Sequence, residues 1–324
     1  MLNNYTVLIT GGAGFVGSNL IESLLKKGYT VLCIDDLSTG SEYNINELKN
    51  ENFSFIKCNI NNTNKLKEAV RSINIEYVVH CAATVGVRLT QENPNRVLND
   101  LIGLKNILDN ARNKSVTKLI NLSSCEVYGD SNGIKFSEKS PINIKSLYAY
   151  VKISGEILCT YYSQKYDIKT HNLRLFNLYG KKQRCNQYGF VVGKFISNAL
   201  QGKDIVVYSD GQQTRDFTYI NDVVGIVVNL LERNNIASKT LNIGTGRQTR
   251  IIDLAKKIVL LSNSKSKIRL YDSKKDYIIK RCADINLLNR LLERPKLVSL
   301  DEGLKNTIKW YRNYNECLNS NSRI

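Results

Sequence analysis

The chain has 324 residues, 42% of them hydrophobic, which is long enough for two domains sharing an extended core. Lys and Arg outnumber Asp and Glu 46 to 29, a formal charge of +17, but no basic run exceeds a pair and none is interleaved with aromatics, which argues against a nucleic-acid partner. No apolar run nears the ~20 residues of a membrane helix, and eight scattered Cys, with two His and no C-x-x-C pair, argue against a zinc site or any other metal. The first residues carry no signal-peptide pattern, so the expected setting is the cytoplasm, with free thiols. In chain order, Tyr5–Thr10, Thr30–Asp35, Phe53–Cys58, Tyr77–Ala82, Lys118–Ser123 and Thr170–Phe176 read as short buried strands. Between the first two, Val16–Lys27 repeats Val16, Leu20 and Leu24 at helical spacing, and Gly28 is placed to end the helix. This alternation predicts an α/β fold with a doubly wound parallel sheet and helices on both faces. After Phe176 the elements shorten and turn signals such as Ser209-Asp210-Gly211 appear. The expected division is a first domain over 1–176, a smaller α/β domain over 177–312 partly interleaved with it, and a polar tail over 313–324.

Directly after the first strand, Gly11-Gly12-Ala13-Gly14-Phe15-Val16-Gly17 opens a helix. Gly11, Gly14 and Gly17 allow a tight turn, close backbone approach to a pyrophosphate and close helix–strand packing, with Phe15 and Val16 at the helix start. Asp35, at the end of the second strand, is positioned to accept from a ribose 2′-hydroxyl and to repel a 2′-phosphate. Together these predict a Rossmann-type nucleotide-binding domain that holds NAD rather than NADP. Asn59, after the third strand, either meets the adenine edge with its neighbour Ile60 or forms a simple turn.

Tyr148 and Lys152 form Y-x-x-x-K, a spacing that puts both side chains on one face of a helix. An ammonium beside a phenol favours the phenolate, which predicts a general base that takes a hydroxyl proton while hydride leaves the same carbon. Ser124, at the end of the fifth strand, is positioned to hydrogen-bond that hydroxyl.

With these residues in hand, the chain resembles the extended short-chain dehydrogenase/reductase superfamily, in its nucleotide-sugar epimerase/dehydratase branch. The likeness covers nearly the whole chain through Thr10–Gly17, His80-Cys81-Ala82-Ala83, Ser123-Ser124-Cys125-Glu126-Val127-Tyr128-Gly129 and Tyr148…Lys152. It continues through Arg174-Leu175-Phe176-Asn177-Leu178-Tyr179-Gly180, Gln213–Tyr219 and Leu241–Gly246. The resemblance implies bound NAD lined also by Ala82 and Ala83, with Ser124, Tyr148 and Lys152 as the oxidising triad. It implies a nucleotide-diphosphate sugar met by Asn177, Val192, Arg215 and Tyr208, and a homodimer packed through helices around 95–112 and 147–166. His80 is expected to be structural.

The expected reaction is 4-epimerisation of a UDP-hexose or UDP-uronate, with dehydration or decarboxylation of a uronate as the alternative. Simple 4-epimerases usually carry a small or neutral residue where this chain has Glu126, which favours C5/C6 chemistry. The segment Val85–Arg88 with Glu92-Asn93-Pro94 resembles the 4-epimerases and makes Arg88 a candidate for a carboxylate or phosphate. Cys125 stands where the dehydratases carry Asp, either as a proton donor or as a small buried side chain. Two departures stand out. Asp100 replaces an Asn before Gly103, and Ser273 replaces the second diphosphate-binding Arg, for which Lys274, Lys275 or Arg281 would have to substitute. A catalytically silent NAD-binding protein is the rival from another class.

Overall fold

The computed structural model describes residues 6–314 apart from 49, 115, 131–134, 187–188 and 273–279. In chain order the elements are β1 (Thr6–Thr10), α1 (Phe15–Lys26), β2 (Thr30–Asp35), α2 (Tyr43–Asn46), β3 (Phe53–Lys57), α3 (Thr63–Val70), β4 (Tyr77–His80), α4 (Val87–Glu92), α5 (Pro94–Asn113) and β5 (Lys118–Ser124). A 3-10 turn over Cys125–Tyr128 leads on to α6 (Leu147–Tyr166) and β6 (Lys169–Leu175). Then follow β7 (Leu178–Tyr179), α7 (Val191–Leu200), β8 (Ile205–Tyr208), β9 (Thr214–Arg215), β10 (Thr218–Tyr219), α8 (Ile220–Glu232) and β11 (Lys239–Ile243). The described elements end with β12 (Thr249–Arg250), α9 (Ile251–Leu261), β13 (Ile268–Tyr271), α10 (Asn286–Leu291) and α11 (Leu300–Asn313).

Seven strands form one sheet in the order β11-β6-β5-β4-β1-β2-β3. The β1, β2, β3, β4, β5 and β6 ladders are parallel, with registers such as Thr6↔Thr30 and Lys118↔Lys169. Every residue of β5 is buried, as expected for a strand covered on both faces. The fold is therefore the doubly wound α/β architecture expected from the strand–helix alternation. The seventh strand, β11, was not among the strands read from the sequence, because its five residues return to the sheet only after a long excursion.

The chain divides into two compact units. The first comprises Met1–Gly129, Ile142–Leu175 and Val223–Leu241. Within it, Leu104 of α5 lies against Gly155 of α6 so closely that a Cβ on that glycine would sit 3.0 Å from the leucine methyl. Burial of Leu104, 3% exposed, contributes about 2 kcal/mol to this contact. Ser146 caps α6 through its hydroxyl to the Ala149 N–H at 3.1 Å, which fixes where the helix starts and hence which face carries Tyr148 and Lys152.

The second unit comprises Asp130–Pro141, Phe176–Asp222 and Asn242–Ile324. Its strands pair two by two, β7 with β10, β8 with β13 and β9 with β12. Asp216, fully buried, ties three segments together by accepting the N–H groups of Thr245 (2.8 Å), Gly246 (2.9 Å) and Ala283 (3.1 Å). Among the described residues Cys33, Cys58, Cys81, Cys125, Cys159 and Cys282 are free thiols. Among the described residues no helix is long and apolar enough to cross a membrane.

Candidate cofactor and catalytic site

The loop from β1 into α1 is built around absent side chains. Gly11 has φ of +66°, and a Cβ there would lie 2.7 Å from the Ala82 backbone just beyond β4. A Cβ on Gly17 would collide with the Gly11 carbonyl, so the turn closes only with glycine at both places. Gly14 is the N-cap of α1, with Phe15 and Val16 in its first turn. Those first N–H groups have no carbonyl acceptor within the helix and form a ready anion site. At the tip of β2, the buried Asp35 carboxylate accepts from the Ala13 N–H at 3.0 Å and the Leu37 N–H at 2.8 Å. A glycine cradle, an exposed helix start and a carboxylate at the second strand tip fit NAD.

Asn59 is exposed; its amide donates to Asp36 at 3.1 Å and its carbonyl oxygen accepts from the Asn61 N–H at 2.9 Å, so it also serves the turn reading. Ile60 packs into the helix layer against Gly103. Beside Asn59, Arg96 bonds the Ser38 hydroxyl, and Asp36 accepts the Ser38 N–H at 2.9 Å. Those three residues escaped the sequence reading, and only the polar run Asp35-Asp36 with Ser38 signals them. Ala82 and Ala83 follow β4, where the Ala82 N–H reaches the Thr10 hydroxyl at 3.4 Å. That hydroxyl also bonds His80 Nδ1 at 2.9 Å, and burial pushes the imidazole down to about 3, so His80 is a neutral structural group.

Ser124 ends β5, close enough to Tyr148 to favour its phenolate. Its oxygen accepts the Glu126 N–H at 3.2 Å, which caps the 3-10 turn. Lys152 lies one turn along α6 from Tyr148, its Nζ 5.6 Å from the phenol ring centre, and donates to the Leu122 carbonyl at 2.7 Å. Burial pushes the Tyr148 phenol up; Ser124 opposes the shift, and the Glu126, Cys125 and Asp100 charges add to it. Burial likewise pushes the Lys152 ammonium down, against Asp100, Cys81 and Glu156. The expectation of a lowered phenol therefore needs correcting for the protein alone, where burial is the largest influence on Tyr148 and raises it.

A second tier fixes this cluster. Glu156, one turn beyond Lys152, takes the Ser123 hydroxyl at 2.5 Å and the Arg174 guanidinium at 2.7 Å, and Arg174 also donates to the Tyr128 hydroxyl at 2.8 Å. Four buried polar side chains thus hold β5, the 3-10 turn, α6 and β6 in one arrangement. Glu126 is half-buried in that turn and Cys125 is buried beside it. Arg88 is on the short helix α4, where it pairs with Glu92 at 2.6 Å on an exposed face.

In the second unit, the Asn177 carbonyl accepts the Thr218 N–H at 3.0 Å. Arg215, half-buried, donates to the Thr214 carbonyl at 2.8 Å. Tyr208 is 56% exposed at the end of β8, with its ring 5.7 Å from that of Tyr271. Val192 is buried within α7, so its side chain serves the core.

Residues 7–244 match the model of the NAD dependent epimerase/dehydratase family. The chain belongs to that family. It is 33% identical over 313 residues to a putative UDP-glucose 4-epimerase of Methanocaldococcus jannaschii, covering 95% of this chain and 99% of the relative. It is 34% identical to a UDP-N-acetyl-alpha-D-glucosaminuronate decarboxylase of Bacillus cytotoxicus, covering 94% and 97%. The crystal structure of the UDP-glucuronic acid 4-epimerase from Bacillus cereus, in complex with UDP-glucuronic acid and NAD, superposes with a TM-score of 0.85 at 32% identity, covering 95% and 99%. NAD is accordingly the cofactor of this epimerase/dehydratase family member, and the glycine cradle, Asp35, Tyr148 and Lys152 are the groups that fit it. Of the departures noted in the sequence, Ser273, Lys274 and Lys275 lie outside the described residues. Arg281 is buried, 3.6 Å from Asp130, and the parallel bridge Thr214↔Lys280 makes Arg215 and Arg281 the next residues on adjoining segments.

Proposed function

We propose that the protein is a 4-epimerase of a UDP-hexose or UDP-uronate, working through a transient 4-keto sugar. The observation that carries this reading is the Lys152 ammonium 5.6 Å from the Tyr148 ring centre on one face of α6, with Ser124 at the end of β5 near enough to act on the phenol. Ser124 holds the sugar 4-hydroxyl, and Tyr148 as phenolate takes its proton. Bound NAD supplies the hydride acceptor and a positive ring charge. Lys152 places an ammonium 5.6 Å from the phenol ring centre, and with the positive ring of bound NAD it works against the burial that holds the phenol protonated. When the ketone presents its other face and hydride returns, Tyr148 gives the proton back. Arg215 and Arg281 supply guanidinium forks suited to the two phosphates, and Tyr208 an exposed ring suited to stack on the base. Leu98 and Ile102 on α5, with Tyr150, Ile157 and Tyr161 on α6, are 42–64% exposed, and a second copy of the chain is their proposed cover.

The half-buried Glu126, whose charge acts on Tyr148, favours a second reading in which it moves the C5 proton of a dehydration or assists loss of carbon dioxide from a uronate. Mass spectrometry of products from UDP-, dTDP- and GDP-hexoses and UDP-glucuronate separates the two. A product of unchanged mass and altered retention supports the epimerase. Loss of water or of carbon dioxide replaces it with the second reading, and no product from any donor favours a silent NAD-binding protein.

A further inference from the structure

The carboxylate of Asp100 is used in a way the reaction scheme above leaves unexplained. Both its oxygens are held by one residue, Oδ2 by the Thr84 N–H at 2.7 Å and Oδ1 by the Thr84 hydroxyl at 3.2 Å. Asp100 lies one turn before Leu104 on α5, and Lys152 lies one turn before Gly155 on α6. Because Leu104 and Gly155 are in contact, the acid and the amine stand at the same end of the helix pair. A carboxylate pinned by two donors cannot swing out to water, so its charge is a fixed feature of this end of the unit.

We propose that Asp100 is the fixed counter-charge of Lys152, acting on the ammonium across the helix pair without touching it and setting the pH window in which the pair with Tyr148 works. This rests on the roles given above to Tyr148 and Lys152. Around Asp100 stand Lys152 from α6 and Arg96 from its own helix, both of which favour its ionised form against burial. Around Lys152 stand Asp100, Cys81 and Glu156, with His80 close enough to feel the ammonium. Around Tyr148 stand Ser124, Glu126, Cys125 and Asp100. The carboxylate thus acts on both partners in one direction. It keeps the lysine charged to higher pH, and it makes the phenolate harder to form at low pH.

The test is Asp100→Asn in the full chain loaded with NAD, assayed with UDP-glucose and UDP-glucuronate. An amide keeps the side-chain shape: its oxygen still accepts the Thr84 N–H, its NH2 donates to the Thr84 hydroxyl in place of accepting from it, and the charge is gone. Both limbs of the kcat/KM pH profile are expected to move to lower pH by about one unit, with the peak rate held within about threefold. A fall in rate with neither limb displaced would overturn the proposal and leave Asp100 a structural tie. The second readout uses no turnover. The 13Cζ resonance of Tyr148, assigned in tyrosine-labelled enzyme by its loss in Tyr148→Phe, titrates at lower pH in Asp100→Asn. An unmoved titration overturns the proposal even where the kinetics change. If Tyr148→Phe itself keeps full turnover, the catalytic reading fails, while the resonance still decides whether Asp100 acts on the phenol.

Discussion

A lysine stands by each end of β5, Lys118 on the strand itself and Lys152 on α6, and the pair shows how one fold uses the same group for opposite purposes. At the start of the strand, Lys118 is 1% exposed and donates to the carbonyls of Leu230 (2.9 Å), Leu231 (2.6 Å) and Arg233 (3.1 Å), closing the end of α8. It also lies 5.6 Å from the Tyr77 ring centre. At the far end, Lys152 gives one N–H to Leu122, and among the described residues its other two N–H groups have no acceptor. A lysine whose donors are spent on backbone is a rivet; one that keeps donors in reserve is available to a ligand. Burial pushes both down, Lys118 to about 8, so the difference lies in bonding rather than in solvation.

The largest expected effect comes from removing the base at the reactive end. Tyr148→Phe should lower kcat by about 10²–10⁴ while NAD stays bound and Tm is unchanged. A variant within tenfold of the parent in kcat would dissolve the contrast between the two ends. The second effect belongs to the rivet. Lys118→Met should cost about 3 kcal/mol in urea unfolding, because three buried carbonyls lose their donor, with kcat per folded molecule unchanged. A comparable loss of kcat with full stability would exchange the roles assigned to the two lysines. A smaller change is expected at the cofactor end, where Asp35→Asn should weaken NAD about tenfold by isothermal titration while the ratio of NAD to NADP affinity falls. Unaltered NAD binding would mean that Asp35 is spent on the Ala13 and Leu37 N–H groups alone.

How much of this was legible in the sequence follows from the range of each interaction. The glycine turn, the Tyr148–Lys152 spacing and the Ser124 strand end are local patterns, and each was read from neighbouring residues. Arg88 was read as a candidate for a substrate carboxylate or phosphate, whereas on α4 it pairs with Glu92 one turn along. The Asp100–Thr84 tie, the Glu156–Arg174 bridge and the strand β11 join residues brought together by the fold, and no short window carries them. The upward push on Tyr148 was misread for a related reason: a neighbouring lysine is visible in the sequence, whereas the depth of burial is not.

The smallest expected effect concerns His171, which shares the dry end of the sheet with Lys118. It is fully buried on β6, and among the described residues neither ring nitrogen has a hydrogen-bond partner. Burial first, and then the Lys118 and Lys169 charges, push its imidazole from 6.5 down to about 4. The unfolded chain therefore takes up a proton that the fold refuses. Stability is complete above pH 6.5 and is lost as the pH falls toward 4, by about 2 kcal/mol at pH 5. His80, pushed down to about 3 while keeping its Thr10 bond, imposes a similar loss. His171→Leu should then roughly halve the drop in unfolding free energy between pH 7.5 and pH 5, and leave the neutral-pH value equal or higher, because two unsatisfied nitrogens are removed. A variant that loses stability as steeply as the parent would assign the acid sensitivity to the reactive end, where His80 and the carboxylates are, and would remove the electrostatic basis for calling the Lys118 end the inert one.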